Sequence, residues 1–412
     1  MKKLLTATKF RGATATVALL LCAVMLLSSC AAILETERLT VTPHIELELT
    51  EPNPEAPEAT TRAELRNVIY QAVLRGQTRG IVNVFEYDGD LDDDLPQIRD
   101  ELLLTDAVAS YALLDLELDV TPIVSYSEVS MELTFRRTRE QIAAITNAST
   151  VRYLRSELLD LMANYRADAA IRTTIADISE DSVQRYLTEI YYENPLQIVM
   201  LPITTVAIYP EQPSDGAERL LELTFDYSQP TSVLQRFGGW LRSATGDVAA
   251  AASGSNDAEI LLSLCRGLAD LAAYDEAASE LSEYPTQSLS ATAYGALLGG
   301  SAIGEGYAMA FKALCDELSL PCQVVRGTRT SAAAISGDSA EETPPETHSL
   351  PHAWNIVTYD GYSYHIDPAR CDTEGFEFGF FKSDAEMDLE YGWERERFPV
   401  CDGPETYLTV VG

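Results

Sequence analysis

The sequence predicts an α+β chain in which a duplicated α/β module precedes a third, differently patterned domain, and three observations predict it. Between 61 and 230, helical and strand periodicities follow one another in the same order twice. Leu65-Arg66 recurs as Leu154-Arg155, and Met131-Glu132-Leu133-Thr134-Phe135 recurs as Leu221-Glu222-Leu223-Thr224-Phe225, a period of about 90 residues. Beyond 258 the order changes to long helical stretches followed by a strand pair around Asp360-Gly361, a strong two-residue hairpin signal. With 412 residues and 46% apolar content, the chain can bury cores for two or three domains.

Residues 1–29 carry Lys2, Lys3, Lys9 and Arg11 ahead of an apolar run over 17–27, the order of a secretory signal. That run is 11 residues, short of the roughly 20 that span a hydrocarbon core. Leu27-Ser28-Ser29-Cys30 resembles a bacterial lipobox, so Cys30 is expected to carry lipid and anchor an exported, extracytoplasmic protein to the bacterial cell membrane. The formal charge of −35 becomes −39 once the four basic and no acidic residues of the signal are removed. So acidic a surface excludes nucleic acid as a partner. Residues 30–60, with Pro52, Pro54 and Pro57, read as an acidic tether outside any core.

The first module is expected over 61–140. Thr61-Arg62-Ala63-Glu64 has capping-box form before a helix, followed by a strand over 81–87, a helix over 95–113 and strands over 116–124 and 129–137. The second copy, 150–230, repeats this with a helix over 151–165, a strand over 170–178, a helix over 181–192 and strands over 197–209 and 219–227. A connecting helix and linker fill 231–257, with a break expected over the Ala-, Ser- and Gly-rich 246–256. Asp88-Gly89-Asp90-Leu91-Asp92-Asp93-Asp94 is read as a solvated turn, because an EF-hand needs Gly at Asp93 and an acid at Arg99.

In the third domain, 258–412, helical periodicity over 259–274 leads to Tyr274-Asp275 and Thr292-Ala293-Tyr294-Gly295-Ala296-Leu297, then to Ile303-Gly304-Glu305-Gly306-Tyr307-Ala308. Pro351-His352-Ala353-Trp354-Asn355 and Tyr364-His365-Ile366-Asp367-Pro368 follow. These passages resemble the bacterial transglutaminase-like (papain-like) superfamily, in which a Cys-x-Gly-Tyr-Ala helix start, a His-Ala-Trp-Asn strand and a Tyr-x-x-Asp-Pro strand supply a Cys, His, Asp triad. The resemblance implies His352 and Asp367 as the triad residues present, with Gly304 at the nucleophile's place, and Cys265-Arg266 departs from a His-Asp pair of many relatives. A thiol there would gain acidity from the helix start and attack an acyl carbon; Gly304 has no atom for it.

Independently of the resemblance, pairing Tyr359 with Tyr362 sets His352 opposite Ala369 and Asp367 on the same face, about 7 to 8 Å away at the backbone. An imidazole and a carboxylate bridge that gap. Cys315 lies 11 residues beyond Gly304, roughly 16 Å along a helix, too far to replace the thiol, and Ser301 is nearer but needs a base in place. Glu305, Tyr307 and Trp354 are the candidates for lining a ligand pocket at the vacated helix start.

Of the cysteines beyond Cys30, namely Cys265, Cys315, Cys322, Cys371 and Cys401, the expected disulfide is Cys371 with Cys401, although spacing leaves connectivity open. No metal or other cofactor is expected. The 330–350 segment reads as a surface loop, and Phe376, Phe378, Phe380, Phe381, Tyr391 and Trp393 as strand packing or a ligand groove. Three functions stay open: a non-catalytic binding or scaffold module at the cell envelope for a peptide, cell-wall or protein ligand; a cysteine-type peptidase or amide-transfer enzyme using another nucleophile with His352 and Asp367; and an adhesion or assembly protein acting through the duplicated modules.

Overall fold

The computed structural model describes residues 51–211, 217–279, 288–330 and 349–412. The expected signal, Cys30, most of the tether and most of the 330–350 segment lie outside the described residues. The chain divides into two compact units, Met1–Pro52 with Ile123–Ser125, and Asn53–Pro122 with Tyr126–Gly412. Only Glu51, Pro52 and Ile123–Ser125 of the first are described, and the architecture below is that of the second.

Two four-stranded sheets share one strand order. In the first, β1 (Glu58–Thr61) lies parallel to β2 (Arg79–Asp88), which pairs antiparallel with β4 (Tyr126–Phe135), and β3 (Leu113–Ile123) forms the far edge. Helix α1 (Arg62–Arg75) joins β1 to β2, and α2 (Leu91–Leu104) with α3 (Ala107–Ala112) joins β2 to β3. After the short α4 (Arg139–Ala143), the order recurs as β5 (Thr146–Ala148), α5 (Val151–Ala163), β6 (Asp168–Thr173), α6 (Glu180–Glu193), β7 (Ile203–Tyr209) and β8 (Arg219–Asp226), with sheet order β5-β6-β8-β7. The recurring dipeptides occupy corresponding places. Arg66 on α1 pairs with Glu101 on α2 and, at 2.8 Å, with Asp106, while Arg155 on α5 pairs with Glu189 at 2.6 Å and Glu193 at 2.8 Å on α6.

Several boundaries differ from expectation for identifiable reasons. Glu58–Thr61 is a strand, not tether, and Ala59 is buried; four residues are too few to show alternation, and β5, with three, was equally silent. The single helix expected over 95–113 is two, because Asp106 Oδ1 accepts from the N–H groups of Val108 and Ala109 and starts α3 afresh. The acidic 88–94 run caps and opens α2, Asp90 Oδ1 accepting from Asp92 N–H at 3.0 Å. Glu64 turns its carboxylate to Thr60 N–H at 2.9 Å, so only the Thr61 half of the capping box forms.

Helix α7 (Thr231–Ala251) runs through Gly246, where a break was expected. Its buried face, Leu234, Gly238, Leu241, Thr245 and Ala249, outweighs the roughly 1 kcal/mol that one helical Gly costs. Helix α8 (Asp257–Leu271), capped by Asn256, follows. Leu154, Leu158, Leu187 and Tyr191 of the second module share one hydrophobic core with Leu241, Leu261, Leu268, Tyr307, Phe311 and Phe381. The 150–230 and 258–412 segments are therefore joined through one core, while Leu65, Ile69, Val82, Ile98, Leu102 and Val129 build a second core that also takes in Ala170 and Leu220. No described helix is long and apolar enough to cross a membrane.

Candidate functional site

The last sheet has four strands, in the spatial order Tyr362–Ile366, Ser349–Tyr359, Cys322–Thr330 and Tyr391–Trp393. Strand β12 (Ser349–Tyr359) pairs antiparallel with β11 (Cys322–Thr330) and with β13 (Tyr362–Ile366), and β14 (Tyr391–Trp393) closes the far side of β11. Tyr359 pairs with Tyr362, and Asp360 and Gly361 have φ of 49° and 81°, the two positive angles of a type I′ turn. The register runs only to Asn355 opposite Ile366. Pro368 cannot continue it as a donor, and Asp367 instead caps helix α10 (Pro368–Thr373), its Oδ1 accepting from Arg370 N–H at 3.1 Å.

His352 and Asp367 therefore meet through a helix cap rather than through the extended ladder. Asp367 Oδ2 lies 2.7 Å from His352 Nε2 and accepts from the Tyr391 hydroxyl at 2.7 Å. Asp367 is 1% and His352 7% exposed, so the pair is inside the protein. Burial alone would raise the Asp367 carboxyl, but His352, Tyr391 and the Arg329 charge outweigh it and hold the pKa at about 2.

Gly304 is the first residue of helix α9 (Gly304–Glu317). The short parallel pair β9 (Ala273–Tyr274) and β10 (Ser301–Ala302) brings the Tyr274-Asp275 passage to that helix start. A Cβ on Gly304 would stand 2.4 Å from His352 Cε1 and 2.5 Å from Nδ1. The imidazole thus fills the volume where a side chain at 304 would begin. Cys315 is buried with its thiol pushed well up by desolvation and by Cys322, which adds to its distance in removing it as a nucleophile.

The three expected pocket residues lie in the core. Glu305 is 2% exposed and its Oε1 accepts from the Tyr192 hydroxyl of α6, while Oε2 is buried with no hydrogen-bond partner. Tyr307 is buried with its hydroxyl 2.6 Å from Asp372 Oδ2. Trp354 donates its indole N–H to His365 Nδ1 at 2.9 Å and packs edge-on against Tyr391 and Trp393. The physical reason is shared: the helix start they surround packs against α6 and the sheet rather than facing solvent.

Burial raises the Glu305 carboxyl from 4.5 to about 7, against the opposing Tyr192 hydrogen bond and Arg326 charge. A raised acid favours the folded state fully below its ordinary pKa and loses that contribution as pH rises through 7. Glu305→Gln keeps the acceptor for Tyr192 and removes the charge. It is expected to stabilise the protein at pH 8 by roughly 1–3 kcal/mol and to flatten the pH 4.5–7 slope, read by urea unfolding at pH 5 and pH 8. A destabilisation at pH 8 would mean that the carboxylate itself is needed.

Among the described residues, His365, Asp384 and Cys401 place one potential metal ligand atom each within 4.8 Å of the others. Their hydrogen bonding does not suit an ion. The Trp354 N–H makes His365 Nδ1 an acceptor, so the ring proton sits on Nε2, 2.8 Å from Asp384 Oδ1; a metal on Nε2 would force a proton onto Nδ1, against the indole N–H. Burial together with Asp384 also pushes the Cys401 thiol up to about 12.

Cys371 and Cys401 are not paired, and the five described cysteines are all free and buried. Of the expected aromatic cluster, Phe380, Phe381 and Tyr391 are buried and Trp393 half-buried. A cleft of about 1080 Å³ opens elsewhere, between α6 and β11, with Arg185, Thr188, Tyr192, Arg326, Trp393 and Phe398 on its wall. Neither His352 nor Gly304 lines it; of the aromatic cluster offered as a groove only Trp393 does, and the rest of the cleft left no local signal, since its two walls are over a hundred residues apart.

No family profile and no curated protein matches the chain. Among solved structures, a crystal structure of a TGase is similar with a TM-score of 0.27 and 11% identity, over 65% of this chain and 66% of that one. A candidate cysteine protease from Cytophaga hutchinsonii is similar with a TM-score of 0.22 and 10% identity, over 57% of this chain and 79% of that one.

Proposed function

We propose that the protein is an exported lipoprotein, anchored through Cys30 at the cell envelope, whose third domain is transglutaminase-like and has given up acyl transfer to serve as a binding module. The observation that carries this reading is the contact at Gly304: the base has a carboxylate partner, but the place for a nucleophile is filled by the base's own ring. The two α/β modules are copies of one unit, a reading supported by their common strand order and the matching Arg66 and Arg155 ion pairs.

The ligand is a peptide-bearing one, either a wall fragment or a segment of a partner protein, and the α6–β11 cleft receives it. Aromatic Trp393 and Phe398 beside Arg185 offer stacking and charge in a concavity large enough for several residues. The test is calorimetric titration of the ectodomain with soluble wall fragments and with an array of acidic peptides. Thr188→Trp fills the cleft from a half-buried position and is expected to weaken binding at least about tenfold, near 1.4 kcal/mol, with an unchanged melting temperature. Undiminished binding by this variant would place the ligand elsewhere.

A further inference from the structure

The five described cysteines are not scattered at random. Cys315 lies in the last turns of α9, and the chain reverses directly after it, Leu320 N–H donating to Cys315 O at 2.8 Å, so that Cys322 opens β11 beside that helix end. Asn355 ties the same two elements together, its Nδ2 donating to Ala308 O of α9 at 3.0 Å and reaching Cys322 Sγ at 3.5 Å. Cys315 and Cys322 thus sit on two elements packed against each other, and the Cys322 thiol helps to push the Cys315 thiol up.

Cys265 in the middle of α8 and Cys371 in α10 make the second couple, on two helices packed against each other, and the Cys265 thiol helps to push the Cys371 thiol up. Gly379 closes over Cys371, since a Cβ on it would stand 2.8 Å from the Cys371 sulfur. All four sulfurs belong to the same hydrophobic core. Cys401 stands apart, in a separate cluster with Trp354 and Tyr391 and next to Asp384 and His365.

From this arrangement we infer that the mature protein carries two disulfides, Cys265–Cys371 and Cys315–Cys322, with Cys401 left as a single thiol. Each bond forms as two thiols lose two protons and two electrons, the electrons passing to a disulfide-containing oxidoreductase or a small-molecule disulfide by thiol–disulfide exchange. Exchange needs a thiolate, and burial pushes the Cys315 and Cys371 thiols well up in the finished fold, so the bonds close during folding, before the core seals. The inference rests on the export reading, because an oxidising compartment is where such bonds persist.

The two bonds act on the helices that carry the candidate site. Cys315–Cys322 clamps the far end of α9, whose first residue is Gly304, and Cys265–Cys371 clamps α10, which Asp367 caps. The second closes a loop of over a hundred residues and restricts the unfolded chain far more than the first.

The test is peptide mapping by mass spectrometry of the full chain purified from membranes, with free thiols alkylated at lysis and digestion without reductant. Two linked peptide pairs are expected, Cys265 with Cys371 and Cys315 with Cys322, and an alkylated Cys401. Five alkylated thiols, or Cys401 in a linked pair, overturn the inference. The same map on the full chain refolded from denaturant in a glutathione redox buffer separates the two failures. No pairing in either sample defeats the geometry, whereas pairing only after refolding supports the geometry and defeats export. Cys371→Ser should lose one link, keep the other, and lower the non-reducing melting temperature by more than Cys322→Ser does.

Discussion

Asp367→Ala is expected to cost about 3–5 kcal/mol of folding free energy, because it strands several buried donors at about 1–3 kcal/mol each. Three donors converge on this carboxylate: the His352 ring, the Tyr391 hydroxyl and the Arg370 N–H. Without it all three are stranded where water cannot replace it, and α10 loses its cap. Asp367→Asn keeps the shape and one acceptor, so its cost is expected to be about half. Denaturant unfolding at pH 7 measures both, and a cost below about 1 kcal/mol for Asp367→Ala would show that the pair does not organise this part of the fold.

The same group sets an acid limit. Its folded pKa, about 2, lies below the ordinary 3.8, so the stabilisation is fully present above pH 4 and is lost as pH falls through 2. The difference is worth about 2–3 kcal/mol. Wild type should lose this amount progressively between about pH 5 and pH 1, and Asp367→Asn should not.

Gly304→Ala carries the second large effect. A Cβ 2.4 Å from the His352 ring cannot be accepted without moving the ring off Asp367, and overpacking of this kind costs about 1–3 kcal/mol. In a His352→Ala background the obstacle is gone, and the same change should be neutral or stabilising by up to about 1 kcal/mol, as expected for Gly replaced by Ala in a helix. The double-mutant cycle therefore predicts strong coupling between the two positions. Equal effects in both backgrounds would mean that the ring does not occupy the side-chain position at 304. A cysteine placed there meets the same obstacle, so Gly304→Cys is expected to show the same coupling to His352.

Much of this site was legible in the sequence. Asp360-Gly361 fixed the hairpin and with it the approach of His352 to Asp367, because a two-residue turn leaves one register. The route of contact was not legible: the ladder was extended to Ala369, whereas Pro368 ends it and turns Asp367 into a cap. Glu305 and Tyr307 stand next to Gly304 in the chain and Trp354 two residues after His352, but closeness along the chain says nothing about which element covers a side chain. Tyr192, some 110 residues away in the chain, covers Glu305, and no local pattern announces such a contact. The short strands β1 and β5 were silent for want of length, and α7 overrode Gly246 because a buried face decides where propensity is weak.

The claim at the centre is that His352 has a partner but no nucleophile to activate. It is tested most directly by treating the wild-type ectodomain and its His352→Ala variant with a panel of thiol- and hydroxyl-reactive electrophiles and mapping labelled residues over time. The account predicts slow labelling at exposed positions and no residue whose rate depends on His352. Rapid labelling of a single residue in wild type, abolished in His352→Ala, would contradict it and identify the nucleophile of a working enzyme.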